Sequence, residues 1–372
     1  MGLNVDVIVV GGGIVGLSTA WRLSQTGLSV AVVEKSRPGS EASSAAAGML
    51  APYAEATNRG PFSELGRASL ERYAGFVDEL KRETTLDPEL IRTGLLRVAE
   101  GVEGEATLRE TYAAMLEMGS RAEWIGDKAL HEVEPALSPD VTAAIYSPTE
   151  WQVDPRRLIQ ALAVAVAANG GAILERTEVT GFTLAGSRVT GVRTTTGEIL
   201  CDRVLLAGGS WNAGLLALLG VEIGVRPVRG QIACVGPLYP MPLRHTVYSH
   251  NGYLVPRSNG RVLVGSTEDE AGFDSRPSAG GIAGILGRGV ALAPMLSSAP
   301  VESVWAGLRP LSPDRMPVLG RVGQWPNAFV AAGHFRNGIL LAPITSELMT
   351  TLITTGQAPI DPAFSPARFS QP

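Results

Sequence analysis

Val5-Asp-Val-Ile-Val-Val-Gly-Gly-Gly-Ile-Val-Gly16, followed by Ser29-Val-Ala-Val-Val-Glu34, is the stretch from which the fold is read. Val5 to Val10 has the apolar density of a short strand buried on both faces, and Gly11 to Gly16 opens a helical pattern with Leu17, Ala20, Trp21 and Ser24 on one side. Gly27 stops that helix, and Ser29 to Glu34 reads as a second apolar strand. The first 34 residues therefore predict one βαβ unit with parallel strands. Within it, Gly11-x-Gly13-x-x-Gly16 matches the dinucleotide fingerprint. Its glycines permit a tight turn, close approach of a pyrophosphate to the backbone, and close helix-to-strand packing. At this glycine content the pattern arises by chance about 0.6 times per chain, so its place between strand and helix carries the weight. Glu34 ends the second strand, where a carboxylate accepts from ribose hydroxyls and repels a 2′-phosphate, which disfavours NADP.

The surrounding composition narrows the function classes. The 372 residues are 45% apolar and 18% charged, enough for a large core, and 44 glycines are well above ordinary usage without a collagen period. A net charge of −5, spread over 31 basic and 36 acidic residues with no basic stripe, argues against nucleic acid as a partner. Cys201 and Cys234 are too few and too far apart for a disulfide framework or a zinc knuckle, and the four histidines form no HxxxH pair, so no metal is expected. The start lacks a signal-peptide pattern and no apolar run is read as a membrane span, so no membrane association and a cytoplasmic location are expected.

Further along, apolar residues from Phe62 to Leu80 keep helical spacing, read as a surface helix outside the nucleotide fold. Asp154-Pro155 is an N-cap followed by an N1 proline, opening a helix that ends at Asn169-Gly170. Strands are predicted over 179–182, 189–194 and 203–207, then Gly208-Gly209-Ser210 and a helix over 211–218. Residues 224–265 show strands separated by turns and no helical period. A helix over 278–292, strands over 301–306 and 328–331, and a last helix over 338–353 complete the pattern, with an irregular Pro-rich tail. The expected fold is α/β: a Rossmann-like dinucleotide domain built from the discontinuous segments 1–50, 151–221 and 318–372, plus an inserted α+β substrate domain, 51–150 and 222–317, with a mainly antiparallel sheet.

The fingerprint alone does not separate NAD from FAD. Glu41-Ala-Ser-Ser-Ala-Ala-Ala-Gly-Met49 supplies small residues that let backbone approach a large planar ligand, and its hydroxyls can reach phosphate. Together with Trp305-Ala-Gly-Leu-Arg-Pro-Leu-Ser-Pro-Asp314, Gly333-His-Phe-Arg-Asn-Gly-Ile-Leu340 and Ala45-Ala-Ala-Gly-Met-Leu-Ala-Pro52, it makes the chain resemble amine-oxidising flavoenzymes of the D-amino acid oxidase family. Within that family the chain is most similar to the glycine oxidases of the thiamine-biosynthesis type, over essentially its whole length.

The resemblance implies FAD, with Gly11, Gly13, Ile14, Val15, Gly16, Glu34, Lys35, Ala42, Ser43, Ala47, Gly48, Met49, Gly208 and the backbone of Val179 touching the cofactor. It also places His334, Phe335, Arg336, Asn337, Gly338, Ile339 and Leu340 along the flavin ring, where a helix start stabilises negative charge. Arg309 is assigned the substrate carboxylate, a role that suits arginine's planar fork better than lysine. Tyr253 is placed over the substrate, and Arg336 is either a substrate ligand or a contact to the ring. Two positions depart from the family pattern near the substrate: Asn251, where histidine is common, and Glu268, where methionine is common. His250 receives no role, and no protein base is assigned.

The implied activity is oxidation of glycine, sarcosine, D-alanine or similar small amines to the 2-oxo acid, ammonia or amine, and hydrogen peroxide. The partners are then a small amine or amino-acid substrate and oxygen, in a homo-oligomer. The alternative is a D-amino acid dehydrogenase using an acceptor other than oxygen. Related sarcosine oxidases tether the flavin through a late cysteine, and no cysteine follows Cys234 here. The FAD should therefore be non-covalent, and acid precipitation should leave all yellow colour in the supernatant; colour in the pellet would contradict this.

Overall fold

A computed structural model describes residues 3–55 and 59–369. Over these residues the strands form two large sheets of eight strands each and one small two-stranded pair. In the first sheet the order is Val318–Val322, Trp325–Ala332, Gly197–Leu206, Asn4–Val10, Val30–Val33, Ala172–Leu174. Asn4–Val10 lies at its centre, parallel to both neighbours, with Val10 beside Leu206 on one side and Val33 on the other. Helix Ile14–Ser24 follows it directly and buries Leu17, Ala20, Trp21 and Ser24. The predicted βαβ unit is thus present, and an antiparallel extension, Val179–Ala185 with Arg188–Thr194, hangs from Gly197–Leu206.

Two glycines of the opening motif are required by geometry. Gly11 has φ +108°, and a Cβ there would collide with the carbonyl of Ala207. A Cβ at Gly16 would collide with the Gly11 carbonyl, so the turn closes only without side chains.

The second sheet runs Val301–Leu311, Arg226–Val235, Val262–Gly265, Gly252–Pro256, Thr246–Ser249, Leu95–Glu100, Val141–Ser147, Glu123–Gly126. All its pairings are antiparallel except that of Thr246–Ser249 with Leu95–Glu100. The strand expected over 301–306 runs on to Leu311, and the helix expected over 211–218 is a 3-10 turn, Gly209–Trp211, followed by Asn212–Ala217. Periodicity does not single out Leu95–Glu100, because Arg97 interrupts an otherwise apolar run while being buried itself.

The helix expected outside the nucleotide fold, Pro61–Thr84, is corrected by its packing. Its Leu65, Leu70, Tyr73, Phe76, Val77 and Leu80 join the same core as helix Ile14–Ser24, with Phe76 edge-on to Trp21 at 5.2 Å. The expectation that no apolar run reaches membrane length is also corrected. Gly338–Thr355 is long and apolar enough by composition, yet 72% of it is buried inside the protein, so its apolarity serves the core.

Those two helices depend on each other. Pro343 lies inside Gly338–Thr355 and has no N–H, which removes the helical donor for the Ile339 carbonyl. The Tyr73 hydroxyl donates to that carbonyl at 3.1 Å. One turn away the Ser69 hydroxyl donates to the Leu340 carbonyl at 2.7 Å and accepts from the Ile344 N–H at 3.4 Å. Pro61–Thr84 thereby holds the first turn of Gly338–Thr355 at the cavity described below. Tyr73→Phe leaves the Ile339 carbonyl buried without a donor and should cost about 1–3 kcal/mol. Urea unfolding checks this, and in a Pro343→Ala background, where the helical donor returns, the same change should cost clearly less.

Candidate functional site

An elongated cavity lies between the two sheets, lined at one end by Glu34, Lys35 and Val179 and at the other by Tyr248, Tyr253 and Arg309. At the first end, helix Ile14–Ser24 starts from Gly13, whose position provides no side-chain cap, so its opening N–H groups face the cavity. The Ser43 hydroxyl accepts from the Ile14 N–H at 3.0 Å, bringing the small-residue loop against the helix start. The buried Glu34 carboxylate accepts from the Gly12 N–H at 2.7 Å and from the Ser36 N–H at 2.8 Å, which fixes it at the end of Val30–Val33. Lys35 lies over the Trp211 ring at 3.1 Å. A helix start whose own N-cap residue is a glycine, glycines without room for a Cβ, and a fixed carboxylate beyond the next strand fit an FAD.

The middle of the cavity is held by Arg257, which the motifs did not point to, and by Trp305, which opens one of them. Arg257, buried, donates to the Ala47 carbonyl at 2.7 Å and to the Val153 carbonyl at 3.0 Å, pinning the Ala47–Met49 stretch from the second sheet. Trp305 Nε1 donates to the Ala45 carbonyl at 3.1 Å. Gly338, the first residue of Gly338–Thr355, brings to the wall a second helix N-terminus with no side-chain cap from its N-cap residue Asn337, beside Phe335, Arg336 and Ile339.

At the far end, Arg309 projects from Val301–Leu311 across Gly230, where any Cβ would collide with the guanidinium. Two of its five donors go to the Thr267 carbonyl and the Ser266 hydroxyl, each at 2.9 Å, which fixes the plane of the fork. Tyr253 is buried against Gly265, where a Cβ would come within 2.6 Å of the phenol. Burial pushes its pKa above the usual tyrosine value, while Arg309 and the hydrogen bond with Ser266 pull the other way. The phenol is therefore protonated near neutral pH and able to donate.

Of the residues expected at the site, all line the cavity except Gly16 and Leu340. Gly16 packs against the Gly11 backbone and shapes the turn, and Leu340 is buried in the core, its carbonyl taken by Ser69. His250 and Asn251 sit in the exposed turn between Thr246–Ser249 and Gly252–Pro256 and do not line the cavity. Glu268 also stays out of the lining. Its carboxylate faces Arg315 at 3.4 Å and Arg336 at 3.8 Å, so its charge meets two guanidinium groups. Tyr248 lines the cavity and was not anticipated; the two-residue turn His250-Asn251, between the paired Ser249 and Gly252, sets Tyr248 opposite Tyr253.

His334 lines the same wall, fully buried, with Nε2 3.1 Å from the Thr345 hydroxyl. Burial depresses its pKa from 6.5 to about 4. Between those values the unfolded chain binds the proton and the folded one does not, so stability rises with pH across this window and is lost on acidification. The total is on the order of 3 kcal/mol. His334→Gln should flatten the dependence of unfolding free energy on pH between about 6.5 and 4; an unchanged slope would show that other groups carry it.

Comparison with known proteins agrees with this geometry. A family model described as FAD dependent oxidoreductase (DAO) matches residues 6–352. Glycine oxidase of Geobacillus kaustophilus is 37% identical over 360 residues, covering 96% of this chain and 94% of that protein. The bifunctional protein ThiO/ThiG of Synechocystis sp. is 36% identical over 372 residues, 98% of this chain but 54% of its own length. The crystal structure of glycine oxidase from Geobacillus kaustophilus superposes with a TM-score of 0.94 at 35% identity, covering 99% of this chain and all of that one. With family, relatives and fold in agreement over nearly the whole chain, the protein belongs to the DAO family of FAD-dependent oxidoreductases, as an enzyme of the glycine-oxidase type.

Proposed function

We propose that the enzyme oxidises glycine and other small amines next to a carboxylate, such as sarcosine and D-alanine, to the 2-oxo acid, ammonia or the amine, and hydrogen peroxide. The observation that carries this is Arg309, a guanidinium fixed in plane by Ser266 and Thr267 at the end of the cavity, next to the Tyr253 phenol. A planar cation held in one orientation binds a carboxylate through two parallel hydrogen bonds and so fixes the adjacent Cα.

Arg309 takes the carboxylate, and Tyr253 donates to the same group or steadies the amine. Gly230 and Gly265, which keep the space beside these two side chains clear, set how deep the substrate sits. Arg336 stands at the same end, oriented by Glu268, and adds positive potential that draws a carboxylate inward. FAD, when bound, would supply the oxidising power for removal of a hydride from Cα of the neutral amine, with oxygen as the final electron acceptor. The resulting imine adds water and releases ammonia, or the amine when the nitrogen is substituted. Similarity to ThiO/ThiG supports a place in thiamine biosynthesis, with the product passed on from the cytoplasm.

The test is anaerobic bleaching of the bound flavin by glycine, sarcosine, D-alanine and D-proline, with peroxide counted per turnover in air. Arg309→Ala should lower kcat/KM by about 10²- to 10³-fold for every carboxylate substrate, and Arg309→Lys should recover only part of it, because a point charge does not fix orientation. Undiminished reduction in Arg309→Ala would overturn the carboxylate assignment. Turnover without peroxide would favour an acceptor other than oxygen.

A further inference from the structure

Residues facing one another across the second sheet form a row at one register. Arg97 pairs with Tyr248, Tyr248 with Tyr253, and Tyr253 with Gly265. Tyr248 and Tyr253 line the cavity, and Gly265 leaves the space that the Tyr253 ring fills. Arg97 stands next to Tyr248 in the row, with its guanidinium 5.3 Å from the Tyr248 ring centre, and Ile145 follows it on the next strand.

Arg97 is an unusual residue for that place. Its side chain is 7% exposed, and its partner Glu150 is fully buried at 3.3 Å. Nε of Arg97 finds no hydrogen-bond partner among the described residues. Such a pair gains little net stability, because desolvation of both charges offsets their attraction, and well-packed apolar residues would serve the core as well. What the pair does hold is geometry. Glu150 accepts from the Tyr53 N–H at 3.1 Å, and Arg97 reaches the Tyr53 carbonyl at 3.4 Å, so both backbone polar groups of one residue, on the peptides either side of its Cα, are gripped by the same ion pair. Tyr53 belongs to the short turn Pro52–Glu55, which follows the cavity-lining Ala51.

We infer that Arg97, held by Glu150, is a positioning residue for the substrate: it sets the Tyr248–Tyr253 row and the turn after Ala51 against the end of the cavity that holds Arg309. The inference rests on the proposed function in taking that end as the carboxylate site. Arg97 touches neither substrate nor cofactor and acts through the ring of Tyr248 and the backbone of Tyr53. Its loss widens the site without removing any binding group.

The experiment uses FAD-loaded enzyme carrying Arg97→Met together with Glu150→Gln, which removes both charges at once and keeps an acceptor for the Tyr53 N–H. Thermal midpoint, flavin spectrum and FAD content are read first, then KM and kcat for glycine, and the affinity for acetate from its perturbation of the flavin spectrum. The expected result is unchanged FAD content, with KM for glycine and the acetate Kd each raised about tenfold and kcat lowered much less. Wild-type KM and acetate affinity, whatever the thermal midpoint does, would overturn the inference. If the double variant does not fold, Arg97→Lys keeps the charge but not the planar guanidinium beside Tyr248. It should raise both constants in the same direction, and wild-type values there would also overturn it. Failure of wild-type enzyme to be bleached by glycine would sink the proposed function alone, since weakened acetate binding in the variants would still support the positioning role.

Discussion

Everything at the cofactor end depends on two helices that begin at one cavity with no side-chain cap from their own N-cap residues, Ile14–Ser24 and Gly338–Thr355. Exposed N–H groups at a helix start attract anionic oxygens, and two such starts at one wall need backbone to pass where side chains would block it. That requirement explains Gly11 and Gly16, whose hypothetical Cβ atoms collide with neighbouring carbonyls. It also explains why a third helix is involved. The proline inside Gly338–Thr355 leaves the Ile339 carbonyl without its helical donor, and Tyr73 from Pro61–Thr84 makes good the loss while Ser69 of the same helix bridges the Leu340 carbonyl and the Ile344 N–H.

The end that holds Arg309 and Tyr253 follows a different logic, in which a mainly antiparallel sheet presents side chains in rows. Register sets Tyr248 opposite Tyr253, and glycines at 230 and 265 let Arg309 and Tyr253 lie against the sheet. The two halves are joined by polar ties that cross between the sheets: Arg257 to Ala47, Trp305 to Ala45, and the Ser210 hydroxyl to the Leu308 carbonyl at 2.9 Å. The ties set how far the end lined by Arg309 and Tyr253 lies from the end lined by Glu34 and Val179. The site is therefore a product of both sheets.

Elements with a strong local signature were legible before any coordinates. The central strand, its helix and Glu34 follow from periodicity and glycine spacing, and the Asp154 cap is present, with its side chain accepting from the Arg156 N–H at 2.8 Å and the Arg157 N–H at 3.1 Å. Residues 86–147 were opaque because Leu95–Glu100 and Val141–Ser147 are short and become strands only by pairing with each other and with Thr246–Ser249. The amphipathic pattern of Pro61–Thr84 announced a helix but not its partner, since an apolar stripe records that something is covered and not what covers it. Glu268 shows the same limit: the sequence marks it as a departure from the family pattern near the substrate, whereas its position outside the cavity lining, turned to Arg315 and Arg336, comes from the fold.

Taken by itself, the sequence determined the parallel βαβ start, the dinucleotide fingerprint, the family and the arginine that suits a carboxylate, because each is written in residues close together or in a motif read whole. Tertiary structure alone decided that Tyr248 joins Tyr253, that Arg257 pins the Ala47–Met49 stretch, and that Arg97 and Glu150 are buried as a pair. These contacts join residues far apart in the chain. Their partners are chosen by register and by the need of each buried polar group for a mate, neither of which a linear pattern records.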